Sequence, residues 1–171
     1  MTENNIISFN DPETRAILLS WWSRLDDDRK SRAMLRRCRN RHDVALVPAF
    51  HHLYWSLKKD HMVSIEKLAS IAGVLSHVTS NDHHGTFAQQ MAAPKDIDSK
   101  NERVSNQRFR RLLNVDNYDD LYITIIRMIR LLGGSVNIAN LANGMYWWNE
   151  QTKENMAFSY YGNVIKKQNG E

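Results

Sequence analysis

Arginine side chains are concentrated in one short stretch of this sequence, RKSRAMLRRCRNR, which contains no acidic residue. A guanidinium group stays protonated at any working pH, and it can bind a phosphate through two parallel hydrogen bonds. The chemistry that this stretch indicates is therefore the binding of a polyanion. Its basic residues are Arg29, Lys30, Arg32, Arg36, Arg37, Arg39 and Arg41.

A single helix over residues 29–41 would place these basic side chains on one broad arc. At 100° per residue, Met34, Leu35 and Cys38 fall together on the opposite side and form a narrow apolar stripe. The alternative interpretation is a solvated charged face, because the three aspartates at 26–28 directly precede the stretch and can neutralise part of it. A face that serves only solubility usually mixes both signs, so the arc of one sign favours phosphate binding.

A second group of arginines lies in the C-terminal half of the chain. Arg127 and Arg130 interrupt the apolar stretch LYITIIRMIRLL at a spacing of three, which puts them on one face of a helix expected to be buried. A charge on a buried helix needs a partner, and the sequence allows either a bound phosphate or a carboxylate such as Asp119, Asp120 or Glu102. Other arginines that would extend this surface are Arg103, Arg108, Arg110 and Arg111.

Metal and catalytic chemistry find little support in the sequence. The histidine pair at 51–52 and the Asp-His-His run at 82–84 lack the spacing of three or four that metal ligands on a helix prefer, so no metal site is expected. The sequence contains no glycine-rich phosphate loop and no GxSxG or CxxC motif. We therefore predict no catalytic residue and no cofactor, and a protein that is not an enzyme.

Three pairs of adjacent aromatic residues are a further candidate for contact with nucleic acid, because aromatic rings stack on bases. Neighbouring residues on a helix point about 100° apart, so we expect one member of each pair to pack in the core. The outward members are then candidates for an interface. The pairs are Trp21-Trp22, Trp147-Trp148 and Tyr160-Tyr161.

Composition and charge limit the class of protein. A chain of 171 residues with 42% hydrophobic residues can form one compact domain or two small lobes, and its net charge of +4 favours a polyanionic partner. The single cysteine, Cys38, excludes an internal disulfide. The N-terminus does not resemble a signal peptide, and no apolar run is long enough to span a bilayer. These features predict a cytoplasmic protein.

The elements that must position the arginines are predicted to be helices throughout, because no stretch shows sustained strand alternation. Residues suited to capping mark several helix starts, a proline marks another, and a pair of glycines marks the end of the apolar helix. These signals are Asp11, Pro48, Ser64, Ser105 and Asn137 for starts, Gly133-Gly134 for the end, and a last helix over about 151–164.

The predicted fold class is all-α, with two small helical bundles joined by a polar loop. The N-terminal bundle, residues 1–78, carries the basic helix, and the C-terminal bundle covers residues 105–171. The segment 79–104 between them is polar and rich in turn residues, apart from a short apolar patch at 87–91, and we expect it to be a linker or mobile loop.

Several motifs, taken in order along the chain, match those of one protein family. They are FAQQMA at 87–92, VSNQRFRRLL at 104–113, DDLYITIIRMIRLLGG at 119–134 and MAFSYYGNV at 156–164. The N-terminal half agrees in kind, with a first helix that contains WW, a second that contains RR, and the stretch VPAFHHLYW. The chain thereby resembles, over nearly its whole length, the CasB family, the small subunit of the type I-E CRISPR Cascade complex for RNA-guided antiviral defence.

The resemblance implies a non-catalytic, all-α subunit of a ribonucleoprotein complex. Family members lie head to tail with a second copy of themselves, beside the backbone subunits that hold the guide RNA and against the large subunit. Their basic surface helps to hold the opened target DNA, chiefly the displaced strand of the R-loop. Because base pairing with the guide supplies the sequence recognition, the protein needs only charge and shape.

The resemblance carries a nucleic-acid-binding role over to the arginines at matching positions, with Arg130 as the one most open to a structural role. The other basic residues of the first stretch extend the same surface on physical grounds. The matching positions are Arg36, Arg37, Arg108, Arg110, Arg111, Arg127 and Arg130, and the others are Arg29, Lys30, Arg32, Arg39 and Arg41.

Two alternatives stay open at the level of sequence. A helix-turn-helix regulator would read base edges with polar residues of a recognition helix, whereas the basic helix here carries almost only phosphate-binding residues. A protein-only scaffold would use the arginines and aromatic pairs for subunit contacts, since arginine is enriched at protein interfaces too. The sequence assigns no role to segment 94–101, no DNA strand to each arginine, and no copy number.

Overall fold

A computed structural model describes residues 5–170, which form ten helices and four two-residue strands. The N-terminal elements are β1 (Asn5–Ile6), α1 (Pro12–Asp27), α2 (Arg29–Arg37), α3 (Arg41–Ala45), α4 (Pro48–Lys58), β2 (His61–Met62), α5 (Ile65–Leu75) and β3 (Ser80–Asn81). They are followed by α6 (Phe87–Ala92), α7 (Asn106–Leu113), α8 (Tyr118–Leu131), β4 (Ser135–Val136), α9 (Ile138–Tyr146) and α10 (Glu150–Gln168). The predicted all-α class is confirmed.

Helix α5 lies at the centre of the fold. Residues 68–75 are all buried, and the helix packs against α2, α3, α4, α8 and α9. Its start is fixed by Ser64, whose hydroxyl accepts a hydrogen bond from the backbone N–H of Lys67 at 3.3 Å. Gly73 allows α8 to come close, since a Cβ atom there would lie 2.5 Å from the hydroxyl oxygen of Tyr122. The Tyr122 side chain of α8 therefore packs directly on the backbone of α5, at a position where only hydrogen fits.

The predicted helix ends are largely confirmed. The side chains of Asp11, Ser105 and Asn137 each accept a hydrogen bond from a backbone N–H three residues later, as helix caps do. Gly133 and Gly134 follow α8 with φ angles of 66° and 81°, values that favour glycine.

Two parallel strand pairs join distant parts of the chain, β1 with β2 and β3 with β4. No helix in residues 5–170 combines the length and apolarity needed to cross a membrane.

The stretch predicted as one basic helix is divided into α2 and α3. The Cys38 carbonyl oxygen accepts a hydrogen bond from the Tyr122 hydroxyl at 3.1 Å, and the Cys38 backbone is extended. The Asn40 side chain then starts a new helix by accepting from the N–H of Asp43 at 3.0 Å. The expectation of a continuous helix over 29–41 is wrong, because a tertiary hydrogen bond and a new cap replace the helical continuation.

The segment 79–104 is more regular than predicted. Thr86 and Gln89 form a capping box that starts α6. Most of α6 is buried, and the helix packs along α10. The expectation of an irregular loop is therefore wrong for Phe87–Ala92. The apolar patch there joins a single hydrophobic core, whose members come from many positions between Ile7 and Tyr160. The division of the chain into two bundles at this segment stays a prediction.

Helix α10 extends to Gln168, beyond the predicted end near residue 164. Its last turn is held in place because Lys167 Nζ donates to the carbonyl oxygen of Lys100 at 3.1 Å and lies 3.6 Å from the Glu102 carboxylate. The positive charge also suits the negative C-terminal end of the helix dipole.

The aromatic pairs are used inside the fold: Trp21 and Tyr160 are buried, and the other four rings are partly buried against the core. Each indole N–H and each phenol O–H in the three pairs donates to an oxygen atom of another element or loop. The acceptors are the carbonyl oxygens of Ala49 for Trp21 (2.8 Å), Val78 for Trp22 (3.3 Å), Ile7 for Trp147 (3.0 Å), Val115 for Trp148 (2.7 Å) and Val104 for Tyr160 (2.6 Å), and Asn106 Oδ1 for Tyr161 (2.7 Å).

Candidate nucleic-acid interface

Two adjoining grooves flank helix α8 and share its two arginines. One groove extends from α8 to the end of α2 and the turn after it, and the other extends from α8 to α7. Within residues 5–170, no acidic side chain lines either groove. We refer to the two grooves jointly as the arginine groove. It is lined by six arginines: Arg36, Arg39, Arg108, Arg111, Arg127 and Arg130.

Helix α8 exposes its arginines because its polar residues recur every three positions. Thr124, Arg127 and Arg130 fall on one side, while Leu121, Ile125 and their neighbours are buried on the other. The sequence suggested that both charges would be buried with the helix, and this expectation is wrong: both arginine side chains are exposed. They therefore carry no desolvation cost that a partner must offset.

The carboxylates considered as partners for these arginines lie elsewhere. In the described part of the chain, no acidic side chain forms an ion pair with Arg127 or Arg130. Asp119 lies 3.8 Å from Arg41, and Glu102 lies near Lys167. The two guanidinium groups of α8 are thus available to an anion that enters the groove.

Arg36 is held in position at the edge of the groove. Its Nε–H donates to the carbonyl oxygen of Ser76 at 2.7 Å. Partial burial and the neighbouring charge of Arg32 lower the pKa of Arg36, as expected where positive charges are close together. A guanidinium group has five N–H donors, so this anchor leaves four for a ligand.

His77 lines the groove beside Arg36 and Arg130, and the sequence offered no signal for it. Its Nε2 atom is buried and has no hydrogen-bond partner among the described residues. Burial, followed by the charges of Arg130 and Arg36, lowers the His77 pKa from 6.5 to about 4. The imidazole is therefore neutral at pH 7 and adds no charge to the groove.

The lowered pKa of His77 predicts a contribution to acid sensitivity. Between pH 6.5 and about 4 the unfolded chain binds a proton at His77 and the folded chain does not, so the free energy of unfolding falls as the pH is lowered through this range. Above pH 6.5 both states are neutral at this residue, and the effect vanishes. We expect His77→Gln to lose less stability than the wild type between neutral pH and the lower end of this range, measured by urea denaturation. Equal losses in both proteins would contradict a neutral, partly buried His77.

Arg32 is used inside the fold. It donates to the carboxylate of Asp26 and to the carbonyl oxygens of Ser76 and Val78, and its side chain is only 13% exposed. These contacts tie α2 to the end of α5 and to the residues that follow it. The aspartate run that precedes the basic stretch thus neutralises one specific arginine of that stretch.

Replacing Arg32 by alanine is expected to lower the free energy of unfolding by about 2 kcal/mol, because two carbonyl groups and a carboxylate lose their donor. Arg37→Ala is the matched control, since Arg37 is on the same helix, is exposed, and has no contact of this kind in the described residues. Its effect is expected to stay within about 0.5 kcal/mol. Urea denaturation measures both, and similar losses would contradict the structural assignment of Arg32.

Arg41 is also engaged within the protein. It pairs with Glu66 and approaches Asp119, which joins α3 to the start of α5 and of α8. The other basic residues predicted to bind nucleic acid are exposed but do not line the arginine groove. They are Arg29, Lys30, Arg37 and Arg110.

Comparison with known proteins gives a family and a fold. The profile of the family described as CRISPR-associated protein Cse2 matches residues 31–161. The structure is similar to a chain in the crystal structure of E. coli Cascade bound to a PAM-containing dsDNA target, with a TM-score of 0.70 and 17% identity over 89% of this chain and 96% of that one. It is also similar to CasB from Thermus thermophilus, with a TM-score of 0.65 and 20% identity over 91% and 99% of the two chains. A search of curated proteins finds no match.

Proposed function

The chain belongs to the CRISPR-associated Cse2 family, and from this premise we propose that it is the small subunit of a type I-E Cascade complex. In this proposal the arginine groove holds the displaced DNA strand of the R-loop by its phosphates, without reading its sequence. The observation that carries the proposal is the groove itself, in which six arginines from three helices and one turn meet with no acidic residue among the described lining. Sequence recognition is left to base pairing between the guide RNA and the target strand.

The lining of the groove favours a single strand over a duplex. Ile123 and Leu131 lie among the arginines and are 44% and 38% exposed. A single strand offers both phosphates and unstacked bases, so it can contact guanidinium and aliphatic surfaces together. A duplex would present mainly its phosphates to such a surface and would leave the aliphatic side chains without partners.

We also propose that the subunit supplies no catalytic group. The described lining of the groove consists of guanidinium, aliphatic, thioether, hydroxyl, phenol and thiol side chains with the neutral His77. No carboxylate is present there to act as a general base or to bind a catalytic metal ion. The groove is suited to holding a strand rather than cutting it.

The proposed partners are a second copy of the chain, the backbone and large subunits of Cascade, and the guide RNA with its target DNA. A tagged pull-down from the native host, followed by small-RNA sequencing and mass spectrometry, tests this assembly. Repeat-derived guide RNA together with Cascade-type proteins is the expected result. A dimer that purifies alone without RNA would overturn the proposal and favour a DNA-binding regulator, and association with proteins alone would favour a scaffold.

The choice of strand is tested separately by crosslinking within the assembled complex. A photo-crosslinking amino acid at position 124 would lie in the groove beside Arg127, and one at position 15 on α1 would lie outside it. We expect position 124 to crosslink to the displaced strand of a bound target, and position 15 to give little product. Crosslinking of position 124 to the target strand alone would overturn the assignment of the displaced strand.

A further inference from the structure

A partly open cavity of about 220 Å³ lies between helices α6, α9 and α10, and none of its lining residues belongs to the arginine groove. Its described lining contains no charged side chain but is rich in amides and hydroxyls. Pockets for drug-sized ligands have volumes of about 300–1,000 Å³, so this cavity suits a ligand of one or two rings. Because no cationic side chain is present in the described lining, a phosphate or a carboxylate is disfavoured as the part of the ligand that enters the cavity.

Two asparagine side chains on α9 are held with their NH2 groups free. Asn140 Oδ1 accepts from the backbone N–H of Phe87 at 2.7 Å, and Asn143 Oδ1 accepts from that of Phe9 at 3.0 Å. Since each oxygen is committed to a backbone donor, the orientation of each amide is determined. Neither Nδ2 atom has a hydrogen-bond partner among the described residues, and both side chains line the cavity.

The two amides lie close together because residues three apart share one face of a helix. Leu141, Met145 and Met156 provide apolar surface in the same cavity. The cavity therefore offers two oriented donors beside apolar walls, with no charge. This combination fits a flat, uncharged ring that carries two hydrogen-bond acceptors.

We propose that this cavity binds a pyrimidine base with two ring carbonyl groups, as in uracil and thymine. The carbonyl oxygens accept from the NH2 groups of Asn140 and Asn143, and the ring packs against the apolar walls. The base can come from a free nucleoside or from an unstacked nucleotide of a bound strand. This inference goes beyond the proposed holding of phosphates by the arginine groove, and its test on the isolated chain does not depend on Cascade assembly.

Protein NMR with uridine as the probe tests the proposal directly. We expect the side-chain NH2 signals of Asn140 and Asn143 to shift on titration with uridine in the millimolar range, and to shift less with adenosine, which lacks ring carbonyls. Asn140→Asp and Asn143→Asp keep an acceptor for the backbone N–H groups but remove the NH2 donor. Each is expected to weaken uridine binding about tenfold, which corresponds to about one hydrogen bond.

A glycine in the cavity wall gives an independent variant that leaves the amides intact. At Gly144, on α9, an added Cβ would have only Thr152 Cγ2 within 4 Å, at 3.8 Å, so Gly144→Ala fills part of the cavity without a clash. We expect it to weaken uridine binding while the protein stays folded. Gly162→Ala on α10, where an added Cβ meets nothing within 4 Å and which does not line the cavity, is the matched control.

The two sources of the base are separated with an oligothymidylate. If the base belongs to a bound strand, the oligonucleotide shifts the same NH2 signals, and Arg127→Glu/Arg130→Glu removes that shift but leaves uridine binding unchanged. If the ligand is a free nucleoside, only uridine shifts them. No shift of either NH2 signal with uridine, thymidine or oligothymidylate would overturn the proposal, whether or not the arginine groove binds DNA.

Discussion

Reversing Arg127 and Arg130 to glutamate is expected to weaken retention of target DNA by the assembled complex by about 10- to 100-fold at physiological salt. These two residues line both halves of the arginine groove, so their replacement interrupts the whole path rather than one end of it. Glutamate removes two phosphate contacts and also places negative charge beside the phosphates. Because both side chains are exposed and without an ion-pair partner among the described residues, the fold is expected to tolerate the change.

The dependence of binding on salt separates lost phosphate contacts from other effects. Each contact that is lost should reduce the slope of log affinity against log salt concentration by about one unit, so the double variant should lose about two. Dissociation of the displaced strand, followed at several salt concentrations, gives this slope. A fall in affinity with an unchanged slope would indicate that assembly, not phosphate binding, had failed.

A matched control makes the same change of charge elsewhere. Arg15 on α1 and Lys166 on α10 are exposed, and neither lines the arginine groove. Arg15→Glu/Lys166→Glu therefore alters the net charge as much as the groove variant does. We expect it to leave both the affinity and the salt slope close to those of the wild type. Equal losses in the two variants would mean that overall charge, and not this groove, retains the DNA.

Features encoded by neighbouring residues could be predicted from the sequence. The caps at Asp11, Ser64, Ser105 and Asn137 need only a polar side chain and a backbone N–H three residues later. The polar face of α8 follows likewise from a spacing of three in an apolar stretch. Such local signals were sufficient for the all-α class and for the face that Arg127 and Arg130 share, but not for the exposure of that face.

Features that depend on distant residues could not be predicted in this way. The basic stretch looked uniform in sequence, yet Arg32 reaches carbonyl groups more than forty positions away, while Arg36 combines such an anchor with a place in the groove. The break after α2 depends on the hydroxyl of Tyr122, which is 84 positions from its acceptor Cys38. A helical-wheel argument cannot separate these arginines, because the separation is made by the helices that pack against α2.

Tyr122 also links the packing of the core to the shape of the groove. It is buried against Gly73 of α5, it lines the groove, and its hydroxyl holds the backbone just before Arg39. The position of α2 and of the turn after it relative to α8 thus depends on how closely α5 and α8 approach. The dimensions of the arginine groove are therefore determined in part by a glycine that does not line it.

Replacing Gly73 by alanine is accordingly expected to destabilise the protein by about 3 kcal/mol, because the added Cβ would lie 2.5 Å from the Tyr122 hydroxyl, 2.6 Å from its ring and 2.8 Å from Val44 Cγ2. For a chain of this size, such a loss lowers the melting temperature by about 6–12 °C. Gly162→Ala is the control, since alanine in an open helical position should instead stabilise by about 0.5–1 kcal/mol.

The cause of this loss can be tested by relieving the contact from the other side. Tyr122→Leu removes the hydroxyl and the ring edge, so the double variant Gly73→Ala/Tyr122→Leu should be more stable than the sum of the two single changes predicts. Calorimetric melting of the four proteins measures this coupling. Additive losses, or a Gly73→Ala protein as stable as the wild type, would show that α5 and α8 can separate without cost. The arginine groove would then not depend on this contact for its shape.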